Sequence, residues 1–254
     1  MRRARRESAS VATTIFVNPL QFGPGEDLDR YPRTLPADLQ TCAAEHADLV
    51  FAPGASQMYP APQLVTVDPG PAGEILEGEF RPGFFRGVLT VVLKLFTLVR
   101  PDIAVFGQKD AQQLALVRQM VTDFALGIEI EGVPTVRAAD GLALSSRNKF
   151  LSSAERAVAP VLHQALAAGA AAAAGGGAPR AVLAAARRVL DDAGDAVSVD
   201  YVVAVDAGTF APVREDDDEF AGAAVLALAA RVGGTRLIDN VRVQIGTERD
   251  AADD

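Results

Sequence analysis

A single cysteine, Cys42, serves the whole 254-residue chain. One thiol excludes an intramolecular disulfide and any zinc site built on several cysteines. It reads as a small buried hydrophobe. Histidine is nearly as scarce: His46 and His163 are the only two, and no His-x-Gly-His occurs. Positive charge is also in deficit. A net charge of -9 argues against a general nucleic-acid-binding role, which needs a basic field. No apolar run reaches the roughly 18 residues of a membrane span; Val88–Val99 is interrupted by Lys94 and suits a packed helix. The basic opening Met1–Arg6 meets a β-like segment before any signal-peptide hydrophobic core. The expectation is a soluble cytoplasmic protein with no membrane and no nucleic-acid partner. The acidic clusters, Glu215–Glu219 and the tail from Glu248 to Asp254, read as solvated loop and terminus.

What is present is a regular alternation. Hydrophobic residues make up 49% of the chain, enough for one large domain or two modest ones. Val11–Val17 is apolar and β-branched and ends at Asn18-Pro19, a buried strand entering a loop. A helical pattern covers Asp38–His46, and short strands are expected at Asp48–Pro53 and Gln63–Val67. A helix over Phe84–Val99 is closed by Pro101. Ile103–Phe106 is a strand ending at Gly107, Asp110–Phe124 an amphipathic helix, and Ile128–Ile130 a further strand. Strands alternating with helices predict a parallel sheet covered on both faces, with ligands beyond the carboxyl ends of its strands. After about Val136 the pattern changes. Ser152-Ser153-Ala154-Glu155 is a capping box before a helix running toward Ala170. Gly169–Gly177 reads as a frayed helix end and loop. Pro179–Asp192 is a second helix with proline in its first turn. Val197–Val205, Ala223–Arg231 and Thr235–Gln244 read as strands, the last two joined by the hairpin Val232–Thr235. No internal repeat is visible.

Three segments carry chemistry. Gly107-Gln108-Lys109-Asp110 follows a strand and opens a helix. Glycine lets a ligand approach the backbone, the helix start offers N–H groups to an anion, and Lys109 adds a charge for phosphate. Asp110 can accept from a ribose hydroxyl or cap the helix. Leu144-Ser145-Ser146-Arg147-Asn148 places two hydroxyls and a guanidinium in one loop, suited to a triphosphate and to departing pyrophosphate. Asn18-Pro19-Leu20-Gln21 puts two amides after the first strand, where Gln21 can bind a polar organic acid without adding charge. Taken alone, each segment is also compatible with ordinary turn and cap chemistry.

In their order they are more specific. With Ile15–Phe22, Asp27–Arg33, Met58–Pro60, Phe85–Leu95, Phe106–Leu114, Asp140–Asn148 and Leu237–Asn240, the chain resembles the pantothenate synthetase (pantoate–β-alanine ligase) family from about residue 8 to 246. The resemblance implies an α/β fold: a Rossmann-like parallel sheet lacking its first strand over residues 1–135, and a smaller C-terminal α+β closing domain over 136–254. It implies ATP-dependent ligation of pantoate and β-alanine through a pantoyl adenylate, releasing AMP and pyrophosphate, with Mg2+ assisting and a homodimer as the usual assembly. By the same resemblance Gln21 and Gln113 bind pantoate, Gln21 also lying near β-alanine. Gly107, Gln108, Lys109 and Asp110 contact ATP, Val136 offers backbone to adenine, and Leu144, Ser145, Ser146 and Arg147 form a mobile phosphate loop. Residues 23–33 shield the adenylate from water.

The sequence departs from the family at Leu144, usually methionine, at Ala111, often tyrosine, and at Gln108, often glutamate. The larger departure is the absent His-x-Gly-His, whose imidazoles face the ATP phosphates in the family. Met1–Ser8 looks like the tail of the helix that motif opens. Two expectations follow. Either the coding frame continues upstream of Met1 with a strand and that motif, or the chain is a truncated or degenerate homologue that only binds nucleotide or pantoate weakly. The 254 residues alone are expected to be inactive or severely impaired. A different adenylyl- or cytidylyltransferase would explain the first half but not Asn18–Phe22 or Gln113.

Overall fold

The computed structural model describes residues 1–26 and 28–246. The acidic stretch from Glu248 onward lies outside them, as does Asp27. The chain forms two compact units. The first is Met1–Gly107 with Gln112–Val133; the second is Gln108–Ala111 with the chain from Pro134 onward.

In the first unit, helix α1 (Arg2–Glu7) precedes strand β1 (Ala12–Thr14), which pairs in parallel with β2 (Leu49–Phe51) across helix α2 (Leu35–Ala44). Short helices α3 (Ala55–Met58) and α4 (Glu77–Phe80) lead to the long α5 (Phe84–Val99). Strand β3 (Ile103–Gly107) and β4 (Glu129–Val133) form a second parallel pair, connected by α6 (Ala111–Asp123). Phe85, Val88, Leu89, Val92 and Phe96 recur at helical spacing on α5 and pack with Leu116, Val117 and Met120 of α6. Arg100, in the left-handed region at φ 53°, ends α5, and Pro101 prevents its continuation.

β1 and β3 do not pair: β1–β2 and β3–β4 are separate two-stranded sheets. A cavity of about 820 Å³ is lined by Val11–Thr14, by Ile103–Phe106 and by Val92 and Phe96 of α5. The expected parallel sheet lacking one strand therefore takes the form of two pairs bordering a common void. β1 is also shorter than Val11–Val17, because Asn18 turns the chain into a 3-10 turn over Pro19–Gln21. Gln63–Val67 is not a strand. Leu64 and Val65 are 91% and 79% exposed, and no neighbouring strand pairs with them among the described residues. His46 is not helical either; α2 stops at Ala44 and His46 sits beyond it at φ 58°.

The second unit is built on an antiparallel sheet, β5 (Val197–Asp206), β6 (Gly222–Val232) and β7 (Thr235–Ile245), in that order. Gly233 (φ 56°) and Gly234 make the β6–β7 hairpin. Helices α7 (Ser153–Val158), α8 (Val161–Ala174) and α9 (Pro179–Asp191) accompany it. The capping box is present: Ser152 N donates to Glu155 Oε2 (2.7 Å), and Glu155 N to Ser152 Oγ (3.3 Å). The single helix expected toward Ala170 is broken at Ala159-Pro160, since proline cannot donate the next helical bond. Its second part runs through Gly169 to Ala174, so most of the Ala/Gly stretch is ordered helix rather than frayed end. Gly169 has a steric reason to be small: a Cβ there would lie 2.4 Å from Leu226 Cδ2. By length and composition alone Ser153–Ala174, 22 residues, suits a membrane span, although it holds no unbroken apolar run of that length. In the fold Leu162, Ala165, Leu166 and Ala173 are instead core residues beside Leu226 and Leu228 of β6. The acidic loop is tied down in part, with Glu215 paired to Arg187 and Asp216 to Arg214 (2.8 Å).

Candidate active site

The residues singled out in the sequence fall into two groups, one in each unit. In the first unit Asn18 is the organising side chain. It is 2% exposed and fully bonded. Its amide nitrogen donates to Gly87 O (3.1 Å) and Gln21 Oε1 (3.2 Å), while Oδ1 accepts from the Tyr59 hydroxyl (2.8 Å) and Leu20 N (3.3 Å). Gln21 thus has its carbonyl oxygen engaged by Asn18, and its own N–H groups are the polar atoms it offers to a ligand. Burial pushes the Tyr59 phenol up to about 12, keeping it a donor to Asn18 at any ordinary pH.

The turn sits against α5 only because residue 87 is glycine; a Cβ there would lie 2.2 Å from Leu20 O. Arg81 closes the other side. It makes a two-pronged ion pair with Glu26 (2.7 and 2.9 Å), donates to Gln21 O (3.2 Å) and stacks over the Phe84 ring at 3.7 Å. Gln113, half-buried, lies in the first turn of α6 beyond β3. Its neighbour Gln112 is 5% exposed and clamps the preceding loop. It accepts from Glu77 N (3.1 Å) and donates to Ala72 O (2.8 Å) and Ile75 O (2.9 Å). Gly107 ends β3, exposed, with nothing within 4 Å of where a Cβ would stand.

The second unit carries Gln108, Lys109 and Asp110 together with Val136 and residues 144–147. Lys109 Nζ lies 3.7 Å from Asp110 Oδ1, so the lysine is accompanied by a carboxylate rather than standing alone. The carbonyls of Gln108 and Lys109 both accept from Asn240 Nδ2 (3.0 and 2.7 Å). The adjacent Asp239, 4% exposed, accepts two bonds from Arg137.

Residues 136–144 form a small antiparallel turn, with Leu144 N donating to Val136 O (2.9 Å) and Ala138 N to Leu142 O (2.9 Å). Gly141 at its tip has φ 90°, and a Cβ there would stand 2.2 Å from the His163 ring. His163 is thus a packing partner of this turn. Its outer side carries Asp140 paired to Arg156 (2.6 Å), an interaction that lowers the Asp140 carboxyl below its ordinary value. Val136 and Leu144 are 64% and 54% exposed, so both side chains are open to solvent. Ser145 Oγ accepts from Arg147 N (3.2 Å) and opens a 3-10 turn over Ser146–Phe150, while Asn148 Nδ2 holds Ala143 O (3.0 Å). Among the described residues no three His, Cys, Asp or Glu side chains gather as a metal cage.

Sequence reading missed the supporting residues: Arg81, Gln112, Arg137 and the roles of Asp239 and Asn240. Leu237–Asn240 was visible as a matched segment. Its function was not, because the bonds to Gln108 and Lys109 join residues 132 and 131 positions apart.

Comparison with known proteins gives consistent likenesses. A family profile described as pantoate-beta-alanine ligase matches residues 1–242. The chain is 61% identical to a pantothenate synthetase of Thermobifida fusca over 248 residues, covering 94% of this chain and 82% of that protein. It is 56% identical to one from Acidothermus cellulolyticus, covering 95% and 79%. A crystal structure of pantothenate synthetase from Thermus thermophilus superposes with a TM-score of 0.89 at 47% identity, covering 94% and 86%. One of pantoate-beta-alanine ligase from Francisella tularensis, complexed with beta-gamma ATP and beta-alanine, gives 0.74 at 32% identity, covering 94% and 81%.

Proposed function

The chain belongs to the pantoate-beta-alanine ligase family, and from that premise we propose that it binds ATP, pantoate and β-alanine and joins the two acids through a pantoyl adenylate. In this reading a pantoate carboxylate oxygen attacks the α-phosphorus of ATP and pyrophosphate leaves. The β-alanine amine then attacks the acyl carbon, loses a proton, and AMP leaves as pantothenate forms. Residues 1–135 serve as the nucleotide- and pantoate-binding part and 136–254 as the closing part of a cytoplasmic homodimeric enzyme.

The observation that carries the reading is the Asn18–Gln21 pair. Asn18, buried and fully bonded, fixes the Gln21 carbonyl and leaves the Gln21 N–H groups as donors. Neutral donors suit a hydroxy acid that must remain nucleophilic, because a cation there would hold its carboxylate too tightly. Gln113, one turn into α6, supplies the second amide to pantoate, and Gln21 also serves the β-alanine position.

Gly107, Gln108, Lys109 and Asp110 take the nucleotide, Lys109 as the charge on its phosphates. The Val136 backbone, whose carbonyl accepts from Leu144 N and keeps a second lone pair, makes the contact to adenine. Leu144, Ser145, Ser146 and Arg147 close on the phosphates and follow the charge onto pyrophosphate. Magnesium enters as part of the nucleotide substrate, carried on its phosphates.

The test is direct. Against the inactivity expected from the missing His-x-Gly-His, this reading has purified chain release pyrophosphate from ATP and pantoate, with pantothenate appearing only when β-alanine is added. Gln21→Glu places a carboxylate against the acid and should abolish pantoate binding while sparing ATP. Binding of ATP and pantoate without pyrophosphate release would remove the activity from this reading; failure to bind pantoate would sink it.

A further inference from the structure

We infer that Asn240 is a positioning residue for the nucleotide: it holds the turn at Gln108–Asp110 in its binding shape from the far end of the sequence. The inference rests on the proposed function only in naming ATP as the ligand of that turn.

Asn240 lies on β7, opposite Ala227 of β6, and is half-buried. Its Nδ2 donates to two consecutive carbonyls, Gln108 O at 3.0 Å and Lys109 O at 2.7 Å. Only the NH₂ end of a carboxamide can face two acceptors, so the chemistry of the site fixes the amide orientation. Two carbonyls drawn to one donor group constrain both peptide units, and with them the N–H groups of Lys109 and Asp110. Those are the backbone donors an anion at this turn meets.

Asn240 is itself braced. Its backbone N–H donates to Asp239 Oδ1 (2.8 Å). Asp239 is buried and receives both terminal nitrogens of Arg137. Arg137 also donates to Gly141 O (3.1 Å) and Asn240 O (3.4 Å). One hydrogen-bonded run therefore ties the Gln108–Asp110 turn to the 136–144 turn that precedes Ser145–Arg147. The two nucleotide segments, separate in sequence, share an anchor on one rigid strand. That is what pre-organisation of a phosphate site requires.

The experiment compares the wild-type chain with Asn240→Asp, which keeps the size and removes both donors, and with Asn240→Ala. Backbone amide relaxation of Lys109 and Asp110 reads the turn itself. Calorimetric titration with ATP and, separately, with pantoate reads the ligands. In both variants the two amides should fall from rigid order parameters of about 0.85 to below about 0.6. ATP affinity should drop roughly ten-fold, the scale of two lost hydrogen bonds, with pantoate affinity unchanged. A general loss of structure would weaken both ligands and lower the thermal midpoint, and would overturn the positioning role. Unchanged relaxation would overturn it too, as would a loosened turn with full ATP affinity. If wild type binds no ATP, the proposed function fails, while the relaxation result still decides whether Asn240 orders the turn.

Discussion

Strand β6 of the second unit and strand β3 of the first show how differently the two parts of the molecule use a sheet. Along β6, Ala224, Leu226, Leu228, Ala229 and Ala230 are 0% exposed, and the strand is paired on both sides. Among the described residues β3 has no fully buried position and one partner strand, and β1 is the same. Both border the 820 Å³ cavity. A strand with two neighbours satisfies its backbone on both edges and excludes water from its faces; a strand beside a void does neither. The second unit therefore draws its stability from its sheet. The first draws it chiefly from α5 and α6, whose Phe85, Val88, Leu89 and Val117 are fully buried, while Ala104 and Phe106 of β3 and Ile130 of β4 pack against that cluster and are themselves only partly buried.

The largest test of that contrast is truncation in the two sheets. Leu226→Ala should destabilise the second unit by about 2–5 kcal/mol, read by chemical denaturation. Val105→Ala in β3 should cost about 1 kcal/mol, since a partly buried valine surrenders less transfer energy than a fully buried leucine. Equal losses would show that the void does not weaken the first unit. Next comes Gly87→Ala, where the new methyl meets Leu20 O. Overpacking of this kind costs about 1–3 kcal/mol. The same change should displace Asn18 and Gln21 and weaken pantoate binding more than ATP binding. Preserved pantoate affinity would separate the turn from the site.

The smallest effect is a pH dependence confined to the first unit. The Tyr59 phenol is raised from 10.0 to about 12 by burial. Between those values the unfolded chain has lost the proton and the folded chain keeps it. Stability from the neutral phenol is thus whole below about pH 10 and declines as pH climbs toward about 12. The advantage of wild type over Tyr59→Phe should shrink across that window. A gap that stays constant there would show that Tyr59 ionises normally in the folded protein.

Legibility in the sequence followed the range of the forces involved. Helix α5 was readable to the residue, because its apolar spacing and Pro101 are local signals. The capping box at Ser152 and the β6–β7 hairpin were equally local. Gln63–Val67 looked like a strand by composition and is not one, because a strand needs a partner and composition does not supply it. The helix expected past Ser152 was misdrawn at Pro160 and at Gly169. The first is a local break passed over; the second is a glycine whose reason, Leu226, lies in another element. His163 packs against Gly141, a neighbour 22 positions away that no local spacing could name.

By itself the sequence determined the family and most of the alternation of strands and helices, because motifs and periodicities are written in adjacent residues. Tertiary structure alone decided that the parallel strands form two pairs beside a void. It decided also that Asn18 orients Gln21 and that Asn240 reaches back to Gln108 and Lys109. Those outcomes depend on hydrogen bonds between residues far apart in the chain, whose partners are chosen by packing and not by spacing.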